Sequence, residues 1–311
     1  MILILGSSGQ LGNALAKLCE TRGLAFKTLN RADLNFERLD EAALQTKPKV
    51  NWLDWVAEIF SNPRPDFVIN AAAYTAVDRA ETDPEAARIA NVSGPTVLAN
   101  LCETADIPFI HISTDYVFDG NKGAPYVETD PTNPTGVYGS TKRDGEEAIL
   151  ATGAKAVILR TAWVYAAHGK NFARTMLNAG RKMPVLRVVA DQHGTPTAAP
   201  DLAAAILAIV EKISATGWEQ KYRGVFHATG SGETTWHGFA TAIFAEAAKH
   251  GYKAPDVQAI ATADWPTPTR RPPDSRLDCS KMARIFGVTL PDWQASLPGI
   301  VTALLILDAA G

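Results

Sequence analysis

Tyr138 and Lys142 stand four residues apart in Val137-Tyr138-Gly139-Ser140-Thr141-Lys142, so on a helix they share one face. A free tyrosine titrates at about pH 10 and is a poor acid or base at neutrality. A cation beside it lowers that value. Lys142 could be that cation, and its ammonium could also hold a ribose hydroxyl. The same spacing also arises by chance, as a surface tyrosine next to a solvated lysine. The pair gains meaning from two other stretches: the glycine-rich Gly6-Ser7-Ser8-Gly9-Gln10-Leu11-Gly12 and the run Ser113-Thr114-Asp115-Tyr116. A hydroxyl in that run could hydrogen-bond a carbonyl oxygen and help polarise it, although Ser-Thr-Asp is also an ordinary turn or cap.

The elements that must carry these groups can be read in order. Ile2 to Leu5 is a short apolar run, as expected of a strand buried on both faces. The glycine turn follows, and then a helical pattern to Arg22, stopped by Gly23. Strand, glycine turn and helix form the context in which a glycine pattern signals a nucleotide: tight turn, close backbone approach, and a helix N-terminus facing a pyrophosphate. The spacing is G-x-x-G-x-x-G. Ala25 to Leu29 reads as the second strand. Beyond it, Arg31 suits a ribose 2′-phosphate and Asp33 a free 2′-hydroxyl; the balance leans to NADPH over NADH.

Asp66 to Asn70 is the next strand and opens into Ala71-Ala72-Ala73-Tyr74-Thr75, small residues that let a flat cofactor approach. Pro84 to Thr104 reads as one helix, and Ile107 to Ile112 as a strand delivering Ser113 to Tyr116 to the same edge. Between the second strand and Asp66, residues 36–65 form a longer crossover, with Trp52, Trp55, Val56, Ile59 and Phe60 at helical spacing as a core-facing stripe. The alternation through about 160 residues predicts an α/β protein with a doubly wound parallel sheet. Farther on, Ala156 to Arg160 and Gly224 to Ala228 read as strands, Val188 to Ala190 leads into a fixed loop at Asp191 to Thr197, and Asp201 to Ile213 and His237 to His250 read as helices, the latter capped by Thr235-Trp236. Asn171 either caps a helix or faces a substrate pyrophosphate. Arg270 and Arg271 lie in a proline-rich loop, where guanidinium forks would suit a diphosphate. His193 has no partners at metal-ligand spacing.

The 311 residues are 46% apolar and 20% charged, an ordinary globular composition. The formal charge of −3 provides no basic field for nucleic acid or an anionic membrane. Three scattered cysteines suit a reducing compartment. The chain enters a strand at once, without a basic leader or a long apolar run, so a cytoplasmic location is expected.

Taken together, the glycine turn, Ala-Ala-Tyr-Thr, Ser-Thr-Asp-Tyr-Val-Phe-Asp-Gly and Tyr-x-x-x-Lys resemble the extended short-chain dehydrogenase/reductases. Leu159-Arg160-Thr161-Ala162-Trp163-Val164-Tyr165, Asn171 to Met176, Asp191-Gln192-His193-Gly194-Thr195-Pro196-Thr197 and Arg271 to Asp278 narrow the resemblance to the dTDP-4-dehydrorhamnose reductase family. It extends from Gly6 to about Trp293. The resemblance implies reduction of the C4 ketone of a dTDP-4-dehydro sugar by NADPH or NADH, for cell-surface polysaccharide. It implies Tyr138 as proton donor, Lys142 as its cation and ribose ligand, and Thr114 in place of the more usual serine. Asp115, Tyr116, Trp163, Asn171 and Arg271 would face the sugar nucleotide. Gly6, Gly9, Gln10, Leu11, Gly12, Arg31, Asp33, Leu34, Ala73, Tyr74 and Thr75 would face the cofactor.

Some family members dimerise around Mg²⁺ held by glutamates. Ala14 and Pro200 stand at two of those positions here, so no Mg²⁺ bridge is expected, and a monomer or homodimer is. The expected organisation is a cofactor domain, residues 1–165 with 195–230, and a smaller C-terminal α/β substrate domain, residues 166–194 with 231–311. Two other readings are another nucleotide-sugar reductase or epimerase, and a non-catalytic regulatory subunit resembling that of methionine adenosyltransferase.

Overall fold

The computed structural model describes residues 1–34, 36, 60 and 63–309. Of the tryptophan-rich stripe only Phe60 falls among them; it packs half-buried on one face of the central sheet. Trp52, Trp55, Val56 and Ile59 lie outside the described residues.

The chain opens with β1 (Ile2–Leu5), α1 (Gln10–Thr21), β2 (Phe26–Leu29) and β3 (Phe67–Asn70). Next come α2 (Val77–Ala80), α3 (Pro84–Arg88), α4 (Gly94–Thr104), β4 (Phe109–Thr114), α5 (Val137–Ala151) and β5 (Ala156–Thr161). They are followed by β6 (Val164–Tyr165), α6 (Phe172–Gly180), β7 (Val185–Val189), β8 (His193–Gly194), β9 (Thr197–Ala198) and α7 (Ala199–Thr216). The last are β10 (Gly224–His227), β11 (Thr234–Thr235), α8 (Trp236–Ala248), β12 (Asp256–Ile260), α9 (Ser280–Phe286) and α10 (Trp293–Ala309).

Six strands make one parallel sheet in the order β10-β5-β4-β3-β1-β2. The order reverses between β1 and β3, and such a switch point opens a crevice at the strands' carboxyl ends. Both faces are covered, as an all-parallel sheet requires. Leu11, Leu15, Cys19, Leu202, Ile206 and Ile209 bring α1 and α7 onto one face. Leu98, Ala99, Cys102 and Ile149 bring α4 and α5 onto the other. A separate apolar cluster joins α6, α8 and α10 through Leu177, Phe239, Ile243, Phe244, Val301 and Leu304, beside the parallel pair β7–β12.

One expected helix is interrupted. Pro84 to Thr104 contains a wide turn at Ile89–Ser93. Pro95 has no N–H to return to the Asn91 carbonyl, so the regular ladder cannot close there. The freed carbonyl faces Gly145 of α5, where a β-carbon would overlap it. The same turn frees the Asn91 side chain, which accepts from Tyr74 N at 2.9 Å and donates to Thr141 Oγ1 at 3.1 Å.

A buried ion pair ties α5 to the sheet. Arg160 on β5 meets Glu146 on α5 at 2.6 Å, and the Ser113 hydroxyl of β4 donates to the same carboxylate. Removing one partner of such a pair leaves an uncompensated buried charge. Glu146→Ala should therefore destabilise the protein by roughly 3–5 kcal/mol in urea unfolding, whereas Glu146→Leu combined with Arg160→Met should cost less. A larger loss in the double variant would contradict this account of the pair.

Candidate active site

Gly6, at φ +82°, ends β1 with its α-carbon against the Ala71–Ala72 backbone, where a β-carbon would lie 2.7 Å from Ala72 N. Gly12 is packed on Gly6 itself, so it serves the turn and does not line the crevice. The turn thus brings the start of α1 to the loop after β3. A cavity of about 660 Å³ opens there, within the usual range for small-molecule sites.

Most of the expected residues line it. Gly6, Gly9, Gln10, Leu11, Arg31 and Leu34 form one end, joined by Ala73, Tyr74 and Thr75. Thr114, Asp115, Tyr116, Tyr138, Lys142 and Trp163 form the other. Three of the buried side-chain atoms without a partner belong to cavity-lining residues: Gln10 Oε1, Asp115 Oδ2 and Thr161 Oγ1. Buried polar atoms are rarely left unpaired, so a polar ligand fits this space.

Besides Gly12, three expected residues stand elsewhere. Asp33 folds back on its own turn, accepting from Asn30 N at 2.9 Å, while Arg31 reaches the cavity. Asn171 caps α6, accepting from Arg174 N at 3.1 Å and donating to Ala166 O at 2.7 Å, so both ends of its amide are engaged. Arg271 pairs with Asp78 at 2.6 Å and reaches the Tyr116 hydroxyl at 3.4 Å, touching the site through Tyr116 and not directly.

Tyr138 sits at the start of α5 with its ring edge-on to Tyr116, 5.5 Å between centroids. Burial drives its phenol upward, opposed by a hydrogen bond with the Thr114 hydroxyl. This differs from the sequence expectation of a phenol lowered by Lys142, because burial is the largest influence on it and the Asp115 carboxylate adds to it. Lys142 points into β4: Nζ donates to Ile112 O at 2.6 Å and lies 3.2 Å from His111 Nε2. Its amine is pulled down to about 8 by burial, with Glu146 pulling the other way.

The sequence reading passed over His111, Asn70, Glu146 and Trp236. On β4, His111 and Ser113 point to the same face, about 6.6 Å apart along the strand. On α5, Lys142 and Glu146 are one turn apart, about 6 Å along the axis. The two spacings match, so strand and helix pair twice, His111 with Lys142 and Ser113 with Glu146. Polar residues at alternate strand positions facing polar residues four apart on a helix were the available signal.

Trp163, at φ +48°, lies flat on Trp236 with ring centroids 3.5 Å apart and planes 9° apart. Gly194 supports it from below, since a β-carbon there would overlap the indole. The ring is a fixed wall of the cavity.

A doubly wound parallel sheet, a glycine turn at its switch point and a buried Tyr-x-x-x-Lys pair define a short-chain dehydrogenase/reductase. The family model described as RmlD substrate binding domain matches residues 1–306. A dTDP-4-dehydrorhamnose reductase from Aggregatibacter actinomycetemcomitans is 41% identical over 301 residues, covering 96% of this chain and 97% of that one. The Escherichia coli K12 protein of the same name is 37% identical over 310 residues, 99% of each chain. The crystal structure of a dTDP-4-dehydrorhamnose reductase from Clostridium acetobutylicum superposes with a TM-score of 0.85 at 34% identity, over 98% of this chain and 99% of that one. That from Bacillus anthracis, in complex with NADP, gives a TM-score of 0.83 at 28% identity over 97% and 98%. The chain belongs to the dTDP-4-dehydrorhamnose reductase family.

No described helix is long and apolar enough to cross a membrane. Ala14 lies on α1 and packs against the core, and Pro200 occupies the first turn of α7.

Asp115 yields a pH prediction. Burial raises its carboxyl from 3.8 to about 6, with hydrogen bonds from Ser275 and Thr114 opposing. Between those values the folded state binds more protons than the unfolded, so stability falls as pH rises through the window. Asp115→Asn removes that charge and should be more stable than the parent at neutral pH by roughly 1–3 kcal/mol, an advantage shrinking below about pH 4. Urea unfolding at both pH values checks it; an equal difference at the two would contradict it.

Proposed function

We propose that this protein reduces the C4 ketone of dTDP-4-dehydro-L-rhamnose to give dTDP-L-rhamnose, using NADPH. The observation that carries the reading is the convergence of Tyr138, Lys142 and Thr114 on the cavity that also holds the glycine turn. The names of the relatives and the NADP bound to one of them support the substrate and cofactor.

The nicotinamide supplies the hydride to C4. Negative charge then grows on the ketone oxygen, which needs a donor and finally a proton. Thr114, the residue beside the phenol, orients that oxygen, and Tyr138 gives up its proton to it. A phenol raised by burial keeps its proton until the growing alkoxide draws it. Lys142 holds the nicotinamide ribose. Gly9 and the first N–H groups of α1 hold the pyrophosphate. Arg31 at the cavity's far end favours a 2′-phosphate, and Trp163 with Asp115 holds the sugar. A cofactor site and an intact acid in one cavity support an enzyme over a non-catalytic subunit.

The test is loss of reduced-nicotinamide absorbance with this sugar nucleotide. Tyr138→Phe should cut turnover by roughly 10²–10⁴ while leaving cofactor affinity nearly unchanged. An unaltered rate would remove Tyr138 from the mechanism. Arg31→Ala should weaken NADPH binding while sparing NADH, measured by fluorescence titration; equal losses for both would sink the phosphate contact.

A further inference from the structure

The buried contacts of Lys142 set a constraint on its charge. Ala72 N donates to Asn70 Oδ1 at 3.1 Å, which fixes the orientation of that amide. The Asn70 Nδ2 group is then the one facing His111 Nδ1, at 3.0 Å. An amide nitrogen only donates, so His111 Nδ1 must present its lone pair. The ring is buried and held well below its ordinary value, by burial first and by Lys142 second, so it carries one proton. That proton sits on Nε2 and points at Lys142 Nζ, 3.2 Å away. An ammonium has no lone pair to receive it.

We propose that His111 is a positioning residue for Lys142, favouring its neutral amine in the cofactor-free protein through an Nε2–H donated to the lysine nitrogen. The amine in turn donates to Ile112 O, so every group in the chain from Ala72 to Ile112 has a partner. Protonating Lys142 forces His111 to move its proton to Nδ1, against the Asn70 donor, or forces Asn70 to turn its nitrogen toward Ala72 N–H. Either leaves two donors facing each other in a buried site.

The other ionisable groups around α5 do not remove the conflict. Glu146, on the lysine's own helix, favours the ammonium, but it is bound to Arg160 of β5 and Ser113 of β4. Tyr138 precedes Lys142 by one turn and, with Asp115 after β4, lies toward the cavity. The wide turn at Ile89–Ser93 supplies Asn91 and no ionisable group. From α4 comes Cys102, buried with its thiol raised. On α2 and α3, Asp78 pairs with Arg271, Arg79 with Asp83 and Arg88 with Glu85, all toward the surface, while Glu81 accepts from Val137 N.

The chemical meaning of this charge rests on the reductase reading: a ribose hydroxyl accepts from an ammonium, so a cofactor that draws Lys142 Nζ away from His111 Nε2–H would favour uptake of a proton there. The proton's place on His111 is independent of that reading and can be measured without turnover. In cofactor-free full-length protein with ¹⁵N-labelled histidine, the His111 ring signals, assigned by their loss in His111→Gln, should show a protonated Nε2 and a bare Nδ1 above about pH 8, where Lys142 is mostly neutral. Asn70→Asp keeps an acceptor for Ala72 N and adds one for Nδ1–H, so the ring proton should move to Nδ1. The ¹³Cε titration of Lys142 should then shift upward by about one pH unit or more, the size of a buried hydrogen bond. A protonated Nδ1 in the parent protein, or no change of tautomer in Asn70→Asp, would overturn the proposal even if turnover is normal. Absence of turnover with the correct tautomer would instead overturn the reductase reading.

Discussion

A lysine and a tyrosine buried side by side, one turn apart on α5, are the constraint on which the rest of the structure depends. Neither group tolerates burial in its charged form, and burial moves the two away from ionisation in opposite directions, the phenol up and the amine down. Holding them there requires partners for every polar atom. The sheet supplies those partners in register: His111 and the Ile112 carbonyl for Lys142, Ser113 and Arg160 for Glu146. The close packing of α5 against the turn at Asn91 follows from the same need, because it shuts water out from that side.

The rest of the site is built by the same economy of small residues and fixed rings. Gly6 and Gly12 let the first helix start against the loop after β3, which sets the cavity's floor at the switch point of the sheet. Trp163 is held in an unusual backbone conformation by Trp236 on one side and Gly194 beneath. Asp115 is kept buried with one oxygen unpartnered, a cost in stability accepted where a ligand hydroxyl can repay it. Site and fold therefore trade against each other at identifiable residues.

Much of this was legible in the sequence. Apolar runs located the sheet strands, because parallel strands buried on both faces leave few polar positions. The glycine turn and the Tyr-x-x-x-Lys pattern could be located because both depend on local spacing, and both reach the cavity. What the sequence did not yield depends on pairing between distant segments. The split of the Pro84–Thr104 helix follows from one missing N–H at Pro95 and a carbonyl received by Gly145. His111 reads as an unremarkable strand residue until β4 is laid on α5. Asn171 was open between a cap and a ligand, and its amide turns out to be used on both ends by the backbone. Arg271 was read as reaching a ligand, but Asp78, nearly two hundred residues away in sequence, holds it.

The most direct measurement is isotope transfer. The protein would be incubated with NADPH carrying deuterium at the nicotinamide C4 position and with freshly generated dTDP-4-dehydro-L-rhamnose, and the product examined by NMR and mass. The account predicts dTDP-L-rhamnose with deuterium at sugar C4 from one face of the nicotinamide and at no other carbon. Product without deuterium at C4, or no product from folded protein that binds NADPH, would contradict it.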